Sequence, residues 1–165
     1  MANNKIDLRP HYTFAYCSES MEFGCKHMLY YSKKDRTLHL LYETDEYGCI
    51  IGEAEDWELN IQIDEDEAKL LERVFDLLID SYCIFQNRSE TVWVVCDGSD
   101  CTVICGKKRA HYEVPCDLEP FESFDVLANQ LLSLKNDTYQ TDIHGIIRLA
   151  REVKVLLEDY INRNK

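Results

Sequence analysis

A chain of 165 residues, 45% of them hydrophobic and with only six Gly and three Pro, is long enough to bury one core and lies far from the apolar-poor, proline-rich signature of disorder. Its formal net charge of -13, from 31 Asp and Glu against 18 Lys and Arg, opposes direct binding to nucleic acid or an anionic membrane, because both are held by Lys and Arg meeting phosphate. The opening residues Met1 to Asp7 form no apolar leader and no run nears the roughly 18 apolar residues of a membrane span, so the eight cysteines read as reduced thiols of a cytoplasmic protein and not as a disulfide framework.

No linker rich in Pro, Gly or Ser and no internal repeat divides the sequence, which predicts a single domain over 1–165. Met28 to Ser32 and Thr37 to Glu43 are rich in Leu and Tyr and flank the polar turn Lys33-Lys34-Asp35-Arg36, a hairpin pattern. Glu43 to Gly48 makes a further turn before Cys49 to Gly52. Trp57 to Ile63 then alternates strictly, odd positions toward a core and even positions toward water.

At Asp64 the period changes from two to 3.6. Asp64 stands as the helix cap with Glu67 three residues on, a capping box with Asp in the Ser/Thr role. The spacing predicts a helix to about Ser81, with Ala68, Leu71, Phe75 and Leu78 on its apolar face and Leu70 and Val74 widening it.

Thr91 to Cys96 and Cys101 to Cys105 flank Asp97-Gly98-Ser99-Asp100, which predicts a second hairpin. Thr91 to Cys96 is apolar on both faces, as a strand covered on both sides would be. Glu119-Pro120 opens a helix with Phe121, Phe124, Leu127, Leu131 and Leu134 inward. The last helix, Asp142 to Asn162, repeats Ile143, Ile146, Ala150, Val153, Leu157 and Tyr160 at spacings of three and four, a docking face for the domain's own sheet or for a second copy. The fold class expected is α+β: an antiparallel sheet, a meander plus a hairpin, packed with about three helices, the last long and amphipathic.

Cys96, Cys101, Cys105, His111 and Cys116 invite a zinc reading, but structural zinc sites present tight C-x2-4-C knuckles. Cys101 and Cys105 on one extended strand are roughly 13 Å apart, whereas two sulfurs on one zinc stand within about 4.6 Å of each other. Paired through the predicted hairpin, Cys96 would face Cys101 and Val92 would face Cys105 on one sheet face. These thiols read as small buried hydrophobes. Cys17, Cys25 and His27 form a weaker cluster of ordinary spacing.

A nucleophilic Cys105 or Cys116 with His111, helped by Lys107, Lys108 and Arg109, is an enzymatic alternative, though neighbours on one short strand and loop rarely face each other. Glu43, Asp45, Gly48 and Glu53 echo a calcium loop, but Ala54 occupies the closing position, and a plain hairpin turn accounts for the pattern. Neither a glycine-rich phosphate loop, an HExxH nor a C-x-x-C motif occurs. No metal and no cofactor is expected.

The distinctive feature is local charge. From Thr37 to Ala68 there are 11 Asp or Glu and no Lys or Arg. Glu43, Asp45, Glu46, Glu53, Glu55, Asp56 and Glu58 fall on the turns and strand ends of one meander, with Tyr42, Tyr47 and Trp57 among them as aromatic anchors. Such a rim either keeps the protein soluble or presents a phosphate-like charge array to a basic cleft. The function expected is a non-enzymatic protein-binding module that neutralises or inhibits a basic, nucleic-acid-handling partner, as immunity proteins, antitoxins and phage anti-defence inhibitors do. The partner-binding residues are then Glu43, Asp45, Glu46, Tyr47, Glu53, Glu55, Asp56, Trp57 and Glu58. The rival classes are a structural or regulatory subunit that dimerises through its C-terminal helix and a cysteine-dependent enzyme.

Overall fold

The computed structural model describes residues 13–20, 25–34, 36–44, 57–88, 99–113, 119–132, 134 and 143–164. Among them the extended segments are β1 (Phe14–Ser20), β2 (Cys25–Ser32), β3 (Thr37–Thr44), β4 (Trp57–Gln62), β5 (Ser99–Cys105) and β6 (Lys108–Glu113). The helices are α1 (Glu65–Arg88), α2 (Glu119–Leu132) and α3 (Ile143–Arg163). The strands form one six-stranded sheet in the order β4-β3-β2-β1-β5-β6, antiparallel throughout. The class is α+β: β2, β3 and β4 form a meander in which β3 pairs directly with β4, β1 is added at its head, and Cys49 to Gly52 lies outside the described residues.

Strand pleating fixes which residues meet the helices. Leu59, Leu40, Leu29, Tyr16, Val103 and Ala110 stand in register across all six strands, and the neighbouring row is Ile61, Leu38, Tyr31, Phe14, Cys105 and Lys108. From Leu40 to Ala110 and from Leu38 to Cys105 these side chains are buried. Fully burying one such large apolar side chain stabilises the fold by about 1.5 to 3 kcal/mol. β1 lies inside the sheet and departs from alternation, because Ala15 and Cys17 on its other face are buried as well.

The capping box at α1 forms in both directions. The Glu67 amide donates to Asp64 Oδ1 at 2.8 Å, and the Asp64 amide donates to Glu67 Oε2 at 3.2 Å. α1 then crosses the strands. Phe75 meets Phe14 with ring centroids 4.7 Å apart, Cys105 reaches the Glu72 carbonyl, and Lys108 on the edge strand reaches Asp76 and Asp80.

The helix runs to Arg88, about two turns beyond the predicted end at Ser81. Tertiary packing extends it. Tyr82 and Phe85 lie 6.1 and 5.6 Å from the ring of Phe121 in α2, and Phe121 lies 5.6 Å from Tyr160 in α3. Of the predicted stripe on the last helix, Ile146, Ala150, Val153 and Leu157 are buried and Ile143 and Tyr160 are half-buried against the core, and α3 packs this face along α1 and α2.

The second predicted hairpin is replaced by a different pairing. β5 is held on one side by β1, from Phe14↔Cys105 to Ser20↔Ser99, and on the other by β6, from Cys105↔Lys108 to Asp100↔Glu113. Both edges of Cys101 to Cys105 are therefore occupied, and Thr91 to Cys96 lies outside the described residues. The cause is the two-residue turn Gly106-Lys107. Gly106 takes a φ of 59°, a left-handed conformation that glycine adopts without steric cost, and its amide donates to the Thr13 carbonyl at 3.1 Å.

Candidate functional site

The two ends of the sheet differ in charge. At one end lie the β2–β3 turn, with Lys33, Lys34 and Arg36, and the β5–β6 turn, with Lys107, Lys108 and Arg109. Carboxylates of α1 come down onto this end and find partners. Lys108 Nζ is 2.8 Å from Asp76 and 3.0 Å from Asp80, Arg73 is 3.0 Å from Asp76, and Lys69 is 3.2 Å from Glu65. The Lys69 ammonium, with lesser help from Arg36 and Lys33, holds the Glu65 carboxyl below its ordinary value.

At the opposite end the register aligns acidic residues. Glu43 of β3 stands in register with Lys26 of β2, Lys26 with Glu19 of β1, Glu19 with Asp100 of β5, and Asp100 with Glu113 of β6. This transverse row crosses five strands, about 19 Å at ordinary strand spacing, and sets four acidic residues against one lysine. Tyr42 pairs with Trp57, so the chain leaves β3 at Thr44 and returns at Trp57 on this same end. The described flanks of residues 45–56, Thr44 and Trp57, therefore both lie at this end.

Of the predicted partner-binding residues, Glu43 lies in this row and Trp57 opens β4 directly across from Tyr42. The Tyr42 ring is 4.6 Å from that of His27. Glu58 is exposed, opposite Leu41 on the face away from the helices. Asp45, Glu46, Tyr47, Glu53, Glu55 and Asp56 lie outside the described residues. Sequence reasoning missed Glu19, Asp100 and Glu113. Glu19 and Asp100 come together through the β1–β5 pairing of segments far apart in the chain, and Glu113 joins them through the Gly106-Lys107 turn, so the only local signal was an acidic residue near a strand end.

The cysteines are arranged for packing. Cys105 belongs to the row under the helices, whereas His111, in register with Thr102, belongs to the other face. The two side chains are separated by the sheet itself and cannot form a thiolate–imidazole pair. Cys105 Sγ donates to the Glu72 carbonyl at 3.5 Å, and His111 Nδ1 lies 3.1 Å from Thr102 Oγ1. Burial, followed by the charges of Asp76 and Glu72, pushes the Cys105 thiol up to about 11, the reverse of what a nucleophile needs.

Cys101 shares the helix-side face with Cys105 and lies 3.3 Å from the Tyr16 hydroxyl. Cys17 and His27 are on opposite faces, since Cys17 pairs with Met28 and His27 with Ser18. Among the described residues no three His, Cys, Asp or Glu side chains gather closely enough to hold a metal ion, and no helix is long and apolar enough to cross a membrane. Cys116 lies outside the described residues. The chain matches no protein-family model and no curated protein, so its function rests on the physics of this surface.

Proposed function

We propose that this protein is a non-enzymatic module of the cytoplasm that binds and neutralises a basic, nucleic-acid-handling protein through the acidic end of its sheet. The observation that supports this reading best is the register row Glu43, Lys26, Glu19, Asp100 and Glu113. It converges from five strands on the end where Thr44 and Trp57, the described flanks of residues 45–56, both lie. The carboxylates of α1 at the other end are matched by cations; this row holds a single lysine.

A dense negative surface speeds encounter with a basic one by about 10- to 1,000-fold and mimics the charge that a nucleic-acid site is built to receive. Affinity would come from a few aromatic groups beside that surface: Tyr42 and Trp57 stand in register at the same end of the sheet, at helix-side positions, and Tyr47 lies between them in the sequence. A subunit that assembles through its last helix has less to work with, because Ile146, Ala150, Val153 and Leu157 are already buried against α1 and α2.

The test is capture of proteins from the native host on immobilised wild-type chain and on a variant carrying Glu19→Lys, Asp100→Lys and Glu113→Lys. A basic protein held by the wild type, released by salt and lost by the variant supports the proposal. A partner retained equally by both contradicts it.

A further inference from the structure

The sheet ends laterally in β4 and β6, and the two edges are built differently. β6 opens with Lys108 and Arg109, and α1 lies against it, tied by the bridges from Lys108 to Asp76 and Asp80. Edge cations and a covering helix are devices that keep an edge from pairing with another chain. β4 has neither. Its register with β3 runs unbroken from Tyr42↔Trp57 to Thr37↔Gln62, it contains no Pro, Lys or Arg, and among the described residues no strand flanks its other side.

We propose that the outer edge of β4 takes up a basic, extended segment of the partner protein as an added strand. This rests on the acidic-surface reading and specifies how that surface is used. Six residues of strand offer about 20 Å of edge, along which alternate residues turn their backbone N–H and C=O away from β3. Main-chain bonds of this kind supply affinity, and pockets for alternate side chains supply specificity. Half-buried Leu59 and Ile61 line the helix side of the edge, where apolar side chains of the incoming strand would pack. Exposed Glu58, Asn60 and Gln62 line the other side, where its cations would lie.

Charge selects the occupant. Glu58 is the only charged residue of β4, and the segment from Thr37 to Ala68 that contains this strand carries no Lys or Arg. A basic strand would be drawn to this edge, whereas at the start of β6 it would meet exposed Arg109 and the helix tied there through Lys108. A second copy of β4 would instead bring no Lys or Arg to face Glu58.

The experiment follows backbone hydrogen exchange of the full chain at 57–62 and 108–113. The probe is a peptide of about ten residues alternating Lys and Val, long enough to cover the edge. Its controls are the same peptide N-methylated at alternate residues and a Glu–Val peptide. At low salt the Lys–Val peptide is expected to slow exchange of the outward-facing β4 amides by about tenfold or more, leaving β6 unchanged, and neither control should do so.

Protection at β6 in place of β4 would overturn the proposal. So would outward-facing β4 amides already protected in the free chain, whether by the chain itself or, if protection grows with protein concentration, by a second copy. Salt-sensitive binding with β4 exchange unmoved would remove strand addition and leave the acidic-surface reading standing. Absence of any salt-sensitive binding would count against both.

Discussion

Glu19 of β1 stands directly across from Asp100 of β5, and Asp100 directly across from Glu113 of β6. Like charges at directly opposed sheet positions are destabilising, and a sequence that keeps two such pairs in one row departs from local consistency where functional sites do. Asp100 is the carboxylate common to both pairs. Its replacement, Asp100→Asn, is expected to stabilise the fold by about 0.5 to 1 kcal/mol, read as a higher urea midpoint with an unchanged slope. A lower midpoint would mean that Asp100 makes a favourable local contact instead.

The reciprocal bonds between Asp64 and Glu67 make the start of α1 separately testable. Asp64→Ala should cost about 1 kcal/mol, because it removes the cap of a helix that crosses the sheet. Glu67→Ala, which loses only the longer of the two bonds, should cost less. Equal losses in urea titrations would argue that the two residues do not act as a capping box.

Cys105 should resist alkylation in the native protein. With its thiol held up at about 11 and its sulfur turned to the Glu72 carbonyl, iodoacetamide at pH 8 should label exposed Cys83 well before Cys105, and mass mapping reads the order. The same shift has a stability consequence. A thiol whose folded value lies above its unfolded one binds its proton more tightly in the native state. Its contribution is therefore complete below the unfolded value and is lost as pH rises toward 11. Replacing Cys105 with Ala should flatten that alkaline decline, whatever the variant's stability at neutral pH.

Lys108 joins the edge strand to α1, but its side chain is 47% exposed, so the bridge is a modest contributor. Lys108→Met should cost about 0.5 kcal/mol at low salt, and the difference from wild type should shrink as salt screens the bridge. Hydrogen bonds to Asp76 and Asp80 raise the lysine above its ordinary value. Its contribution is thus present throughout the neutral range and disappears only as pH climbs through that raised value. A salt-independent difference would assign the effect to packing of the lysine stem.

What could be read from the sequence was what depends on neighbours in the chain. The β2–β3 hairpin announces itself by a polar turn between two Leu- and Tyr-rich runs, and the start of α1 by Asp64 and Glu67. β1 escaped notice because Phe14, Ala15, Tyr16 and Cys17 are all buried, which removes the alternation that marks a half-buried strand. β6, Lys108–Glu113, reads as a polar loop until the left-handed Gly106 is known to fold it back. The partner of β5 is β1, a strand some 85 residues away in the contact of Tyr16 with Cys101, and no local pattern encodes that. The acidic surface was legible in the same measure. The contiguous acidic stretch stands out by composition, whereas the alignment of Glu19, Asp100 and Glu113 follows only from register.

The most direct test of the central claim is the association rate of the captured basic partner with wild-type chain and with the Glu53→Lys, Glu55→Lys, Asp56→Lys and Glu58→Lys variant, across ionic strength. An acidic docking surface gives an on-rate that falls steeply with salt for the wild type and is lower by about tenfold or more for the variant at low salt. On-rates that coincide at every ionic strength would contradict it.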